Sequence, residues 1–264
     1  SMRWRYLIGS FLETSGYSSP AVVGNTVYAG SGDNYIYAIN DENGTCSLRW
    51  KFETGGWVES SPSVVDNVVY VGSNDRKLYA INADTGEFLW AGTTTGSIIS
   101  SPAVMNNVVY VGSSDGKVYA FDTNLQSMKW VSPQIGGVES SPVIANGMLY
   151  VGVLDGKLYG IDIRDGSVKW MYPTAGAVSA SPAVINNKLY IGDMGRYLYI
   201  FHNATLTVTS ISPSYGPDDG TINLTINGDG FLYGKGVNGN GFLDTPEVKL
   251  VMDGQQEIIG TGTQ

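Results

Sequence analysis

From Val108 to Trp130 apolar and polar positions fall in blocks: VVYVGS, then the polar SDG, then KVYAFD, then a polar stretch ending in MKW. Apolar runs of five or six residues bounded by turn residues predict short β-strands. The same blocks recur at Val68–Trp90 (VVYVGSNDRKLYAINADTGEFLW) and at Met148–Trp170 (MLYVGVLDGKLYGIDIRDGSVKW). An SSP or ASP triplet precedes each copy, with its proline at Pro20, Pro62, Pro102, Pro142 and Pro182. The tyrosines that follow are Tyr28, Tyr70, Tyr110, Tyr150 and Tyr190, so the steps are 42, 40, 40 and 40 residues. Tryptophans stand at Trp4, Trp50, Trp90, Trp130 and Trp170.

Five copies of a unit of about 40 residues, each with several short strands, predict an all-β propeller. We number the units 1 to 5 by their prolines. Each reads as four strands. The SSP strand carries proline, which belongs on a sheet edge, so it is expected innermost, lining the channel. In unit 3 Asn106-Asn107 turns the chain into the second strand, and Ser114–Gly116 makes a tight hairpin into the third. The middle strands are apolar with little alternation, as expected of strands buried on both faces between stacked blades. Unit 5 supplies three strands and no tryptophan strand. The N-terminal RWRY, Arg3–Tyr6, matches RWKF, Arg49–Phe52. It is expected to be the fourth strand of the fifth blade, closing the ring and removing its open edges. The expected domains are a five-bladed propeller over residues 1–203 and a second domain over residues 204–264.

Composition narrows the partners. The 264 residues carry a net charge of −9 with only 15 Lys and Arg, so a phosphate backbone or an anionic membrane would be repelled. No apolar run approaches the ~18 residues a spanning helix needs. No signal-peptide pattern is present, and the opening Ser-Met reads as a cloning remnant. The one cysteine, Cys46, excludes an intrachain disulfide.

The stretches LYAINADTGEFLW (Leu78–Trp90), LYGIDIRDGSVKW (Leu158–Trp170) and YVGSSDGKVYAFD resemble the tryptophan-docking repeat of PQQ-like propellers. That family includes quinoprotein dehydrogenases and a lipoprotein of outer-membrane protein assembly. The resemblance covers about Arg3–Asn203 and implies that Trp50, Trp90, Trp130 and Trp170 pack between blades. Members commonly have seven or eight blades, so five is a departure. The tail resembles an IPT/TIG domain, an immunoglobulin-like β-sandwich, on ISPSYGP, GTINLTINGDGF and VKLVMDG. The 61 residues from Ala204 to Gln264 are few for a complete sandwich, so a partial domain is expected, whose strand edges could pair with another chain. Such tails are common in extracellular and cell-surface proteins, which is the location the resemblance implies.

Few residues suggest chemistry. His202 is the only histidine, which rules out histidine-rich zinc ligation and leaves one residue for any Ser-His-Asp arrangement. Glycine-rich phosphate loops are absent. Quinoprotein dehydrogenases often use a vicinal disulfide, which Cys46 alone cannot make, so PQQ is not an expected cofactor. Asp33, Asp75, Asp115 and Asp155, with Gly195 as fifth member, read as turn residues. The position two before each Ser-Pro varies instead: Tyr17, Glu59, Ile99, Glu139 and Ser179. With Trp57 nearby, these residues are expected to ring one channel mouth, where a propeller would hold a specific site. Glu59 and Glu139 could take a cation or polyol, and Tyr17 and Trp57 could stack on a sugar. The stretch GVNGNGFLDTPE from Gly236 partly fits a calcium loop through Asn238, Asn240, Asp244 and Glu247, although Gly236 stands where an aspartate is needed. Sequons occur at Asn43, Asn203 and Asn223.

The expectation is a non-enzymatic, extracytoplasmic binding or scaffolding propeller without a cofactor. It would engage a protein or glycan at its loop rim, as a monomer, with association through the truncated tail. The alternatives are a PQQ-dependent oxidoreductase or its relic, and a purely structural repeat spacer.

Overall fold

The computed structural model describes residues 4–9, 18–42 and 44–202, and beyond them the strands 207–212, 225–229, 247–250 and 258–261. The chain divides into two compact units, Ser1–Phe201 and His202–Gln264. All regular structure among the described residues is β. In the first unit four four-stranded antiparallel sheets are followed by one of three strands. Repeat unit 3 shows the plan: Ala103–Met105, Val108–Gly112, Val118–Asp122 and Ser127–Val131, paired in sequence order. The first strands, Ala21–Val23, Ser63–Val65, Ala103–Met105, Val143–Ala145 and Ala183–Ile185, lie side by side from unit to unit.

Turn chemistry sets the register. The turn into the second strand has positive φ at both central residues in four units, among them Asn106-Asn107 and Asn186-Asn187. Such turns match the twist of paired strands and favour Asn and Gly. The next hairpin needs a left-handed residue just after its aspartate, or after Gly195 in unit 5: Asn34, Arg76, Gly116, Gly156 and Arg196. Between third and fourth strands a bulge recurs at one place, at Ala38/Ile39, Ala80/Ile81, Ala120/Phe121 and Gly160/Ile161. It steps the fourth strand by one residue, so Trp130 pairs with Ala120 and Met128 with Phe121.

Both faces of the middle strands are buried, as their apolar runs predict. The forward face of unit 2 (Tyr70, Leu78, Ala80, Trp90) packs on the rear face of unit 3 (Val109, Val111, Tyr119, Phe121). Tyr110, Val118, Ala120 and Trp130 of unit 3 meet Leu149, Val151 and Ile161 of unit 4 in the same way. The tryptophan is the joint. Trp50 Nε1 donates to Ala83 O at 2.9 Å, and Trp130 Nε1 to Ile163 O at 2.9 Å, each in the following unit. The rings lie on glycines: a β-carbon at Gly86 would sit 2.7 Å from Trp50, and one at Gly166 2.5 Å from Trp130.

The expected closure by the N-terminal strand is not among the described pairings. Residues 4–9 hold no ladder to the fifth sheet, whose described strands are Ala183–Ile185, Lys188–Gly192 and Leu198–His202. They follow unit 1 instead. Trp4 Nε1 donates to Asp41 Oδ1 at 2.8 Å, and the Cys46 thiol lies 3.8 Å from Arg5 O. Asp41 holds the place in unit 1 that Ala83 and Ile163 hold in units 2 and 4. The segment therefore sits on unit 1 as a preceding unit's fourth strand would, and Ala29, Tyr37 and Ile39 of that face are buried.

In the second compact unit Thr207–Ser212 pairs antiparallel with Thr225–Asp229, and Glu247–Leu250 with Ile258–Thr261. Asn238, Asn240 and Asp244 of the expected calcium loop, and the asparagines of all three sequons, lie outside the described residues; Glu247 opens a strand.

Replacing Trp130 by alanine removes a buried ring and its hydrogen bond. Trp130→Ala is expected to cost about 3–5 kcal/mol. Chemical denaturation should show this as a lower midpoint.

Candidate functional site

The segments that cross from each fourth strand to the next inner strand build one end of the propeller. Their path is fixed at several points. Threonine hydroxyls start the crossing: Thr54 Oγ1 donates to Gly56 O at 2.7 Å, and Thr94 Oγ1 to Gly96 O at 2.7 Å. Next an apolar residue (Val58, Ile98, Val138 or Val178) is fully buried on a glycine that ends a second strand. A β-carbon on Gly112 would lie 2.3 Å from Val138 Cγ1. After one further residue comes a serine whose hydroxyl accepts the N–H of the matching glycine in the following unit: Ser60 from Gly72 at 3.0 Å, Ser100 from Gly112 at 2.8 Å, Ser140 from Gly152 at 2.8 Å. The second serine of each triplet links units along the inner strands. Ser19 N–H donates to Ser61 Oγ at 2.8 Å, Ser61 to Ser101 at 3.1 Å, Ser101 to Ser141 at 2.8 Å and Ser141 to Ser181 at 3.1 Å.

The aspartates tie the hairpins to the crossings. Asp115 Oδ1 accepts Lys117 N–H at 3.1 Å, which closes its own turn. Its Oδ2 accepts the Tyr119 hydroxyl at 2.6 Å and Thr95 N–H, from the preceding crossing, at 3.1 Å. Asp75 does the same with Lys77, Tyr79 and Gly55. Unit 5 has Gly195 in this column, but Asp193, two residues earlier, takes Tyr197 N–H, the Tyr199 hydroxyl and Gly176 N–H at 2.9, 3.0 and 2.9 Å. Burial alone would raise the Asp115 pKa; hydrogen bonds from Thr95, Tyr119 and Ser113 outweigh it and hold the carboxyl below its ordinary value. The partner tyrosines shift the other way. Burial and then the Asp33 carboxylate push Tyr37 up to about 12. These groups are structural: the carboxylates are fully engaged and the phenols stay protonated.

The side chains left over form the rim. Glu59, Ile99, Glu139 and Ser179 each stand between a buried apolar residue and the serine position, half-buried. Tyr17 lies outside the described residues. Trp57 is 46% exposed, and its carbonyl accepts Asn74 N–H at 2.9 Å. Asn74 in turn donates through Nδ2 to Glu59 Oε2 at 2.8 Å. The same backbone bond joins Ser114 to Ser97, Leu154 to Gly137 and Met194 to Ala177. The structure thus adds a second variable column to the rim: Asn74, Ser114, Leu154 and Met194, at the hairpin tips. It was readable as the changing residue before each turn aspartate, but the surrounding turn signal hid it. Leu154 is 40% exposed and Met194 65%. At unit 2 the hairpin-tip residue is polar and holds Glu59, whereas at units 4 and 5 it is an exposed apolar side chain beside Glu139 and Ser179. Among the described residues no cluster of three His, Cys, Asp or Glu side chains could hold a metal. At the opposite end a shallow depression lies between Val23, Asn25, Glu42 and Arg49. The Arg49 guanidinium there is already bonded to Thr26 Oγ1 and to the Asp84 carbonyl and carboxylate.

Two outcomes follow from this frame. Gly112→Ala drives a methyl into Val138 and is expected to cost about 1–3 kcal/mol, read as a lower thermal midpoint. The low Asp115 pKa contributes stability that is present above the unfolded carboxylate value of about 3.9 and is lost as pH falls from there through the folded value. Melting temperature should therefore drop with acidification below about pH 4. Asp115→Asn should lower the plateau near neutral pH and flatten that acid slope.

No curated protein matches this chain. Among solved structures it is similar to BamB from Moraxella catarrhalis, with a TM-score of 0.60 and 18% identity, over 72% of this chain and 62% of that one. It is also similar to the computationally designed Ika8 protein, with a TM-score of 0.62 and 15% identity, over 69% of this chain and 57% of the design. The chain thus spans less than two thirds of either. These likenesses show the fold, a PQQ-like β-propeller built of four-stranded antiparallel sheets. The family pattern described as outer membrane protein assembly factor BamB matches residues 2–122 and 47–204. Taken with the docked tryptophans and the recurring blade, that match shows that the chain belongs to this BamB-like family of PQQ-type repeats.

Proposed function

We propose that the chain is a non-enzymatic scaffold that binds a protein partner at the loop rim. One observation carries this reading: an identical hydrogen-bonded backbone in each unit displays different side chains at two neighbouring columns. Large apolar groups are exposed there, Trp57, Leu154 and Met194 among them. Scattered exposed apolar side chains on a rigid polar frame suit a protein surface, because they release water without needing a deep pocket. A family described as an assembly factor supports the same role, as does the acidic charge, which disfavours nucleic acid. No helix among the described residues is long and apolar enough to cross a membrane.

The reading has further parts. The propeller has five blades, and residues 3–6 act as the fourth strand of the fifth. It works outside the cytoplasm, as the family description suggests, and its tail is the start of an IPT/TIG sandwich. No cofactor is needed: every turn aspartate with resolved partners is occupied by turn, tyrosine or lysine contacts.

A photo-crosslinking side chain placed at Asn74 or Leu154 tests the rim. Protein adducts are expected from these two positions and not from Asn187 at the opposite end. Adducts from Asn187 alone, or binding to a glycan array with no protein adduct, would overturn the reading. PQQ with calcium should leave tryptophan fluorescence unchanged. Saturable quenching would restore the oxidoreductase alternative.

A further inference from the structure

Unit 4 departs from the frame that the other units share. Elsewhere a carboxylate holds the third-strand tyrosine: Asp33 takes the Tyr37 hydroxyl, Asp75 that of Tyr79, Asp115 that of Tyr119 and Asp193 that of Tyr199. Asp155 instead accepts the Lys157 ammonium at 2.6 Å, and the Tyr159 hydroxyl has no hydrogen-bond partner among the described residues. The cause lies in the crossing from unit 3. Thr54, Thr94 and Thr174 donate their backbone N–H to Asn34, Arg76 and Gly156 O. The equivalent bond to Gly116 O, at 2.8 Å, comes from Ile135, one residue later than the threonine column. The remaining path to Val138 is one residue shorter. Among the described residues no crossing N–H then reaches Asp155, as Gly55 and Thr95 reach Asp75 and Asp115. Val153 stands where the Ser73 and Ser113 hydroxyls accept the N–H of Asp75 and Asp115, and it is buried in one apolar cluster with Ile135 and Val138.

The surface over this apolar plug differs accordingly. In unit 2 Trp57 and Asn74 fill the rim, and Asn74 Nδ2 holds Glu59. In unit 4 the same two columns hold Gly137 and Leu154. Gly137 leaves bare backbone, whose carbonyl accepts Leu154 N–H at 3.0 Å, and Leu154 is 40% exposed. Leucine offers a carboxylate nothing, and Glu139 has neither a hydrogen bond nor an ion pair among the described residues. Units 3 and 4 have a described sheet on either side, so this exposure owes nothing to where the sheets end.

We propose that the rim at the junction of units 3 and 4 is a docking site for a protein segment that carries a lysine or arginine beside an apolar side chain. The proposal rests on the reading of the rim as a protein-binding surface and names the chemistry that this surface selects. The partner's apolar side chain lies against Leu154, in the space that a side chain at position 137 would take; a β-carbon there would meet Leu154 first, at 3.4 Å. Its cation pairs with Glu139. Charge complementarity fixes the sign of the partner, because the matching carboxylate of unit 2 is already held by Asn74 and that of unit 4 is not. The exposed leucine supplies the water release that a charge pair at a rim does not. A bare divalent ion is a poor occupant, since one carboxylate cannot replace its oxygen shell.

A synthetic array of random short peptides, probed with the full chain, tests this. The selected peptides are expected to share an apolar residue next to Lys or Arg. Fluorescence anisotropy of the strongest labelled peptide should show about tenfold weaker binding to Glu139→Gln and to Leu154→Ser, the scale of losing one anchor residue. Asn74→Ser in unit 2 should leave it unchanged, and added salt should weaken it. Glu139→Lys should reject that peptide and bind the version in which its cation is changed to Glu. This charge swap decides the matter even where a variant melts lower than wild type. Selection of peptides without a cation overturns the proposal, as does binding that neither variant weakens. Equal loss in Asn74→Ser also overturns it and leaves a protein-binding rim with another centre. If the array selects no peptide the proposal falls, and crosslinks from Asn74 and Leu154 then decide the wider reading alone.

Discussion

The indole lodged between successive blades is the contact on which the propeller depends. A repeat unit of four short strands cannot bury its apolar faces alone. Here each sheet leaves an aliphatic and aromatic face on both sides, and only the next unit can cover it. Trp50 and Trp130 fix that stacking in two ways: a hydrogen bond to a carbonyl 33 residues ahead, and a ring laid on a glycine of the following turn. The bulge before each tryptophan turns the indole to the forward face. Unit 3 shows what the contact requires. It has Gln126, with positive φ, where units 2 and 4 have Gly86 and Gly166, and Trp90 packs beside Phe121 at a centroid distance of 6.4 Å.

Once the blades are stacked, the backbone of the crossings has little freedom. A buried aliphatic residue, a serine hydroxyl and an aspartate carboxylate each fix one point of the path. What remains for variation is the outward side chain between these points. A rim of this kind can change residue by residue without touching stability, since surface substitutions away from caps and cores cost little. The same division explains why so much of the sequence repeats and so little of it carries specificity.

The architecture was legible because period, turn residues and tryptophan spacing are local signals, and four-stranded sheets in the predicted order followed from them. The site was only partly legible. The column Glu59, Ile99, Glu139, Ser179 was found because it varies against repeating neighbours, but its pairing with Asn74, Leu154 and Met194 depends on backbone bonds across about 17 residues. Asp115 read as a turn cap, which it is. The sequence does not reveal that the same carboxylate holds Tyr119 and the preceding crossing. Unit 5 makes the point sharply. Column alignment leaves Gly195 and a missing clamp, yet Asp193 reaches the same tyrosine and backbone from two residues away. Geometry tolerates that shift, and a pattern of columns does not register it.

Repeat proteins behave almost as one-dimensional chains, with energy divided between each unit and its contact to the next. In such a chain the interior units are interchangeable, and the two ends decide solubility and assembly. Units 1 and 5 differ in how their outer faces are covered. On unit 1 the Trp4 indole donates to Asp41, at the place where Trp50 meets Ala83 in unit 2. The forward face of unit 5 keeps the apolar character of an interior joint, at Leu198 and Ile200, with Tyr197 exposed beside them. Apolar groups on an open strand face are normally suppressed by charge or cover because they recruit other chains. Leu198 and Ile200 keep the apolar character that stacking demands of Leu78 and Ala80, so that face is set by the repeat itself rather than by its surroundings.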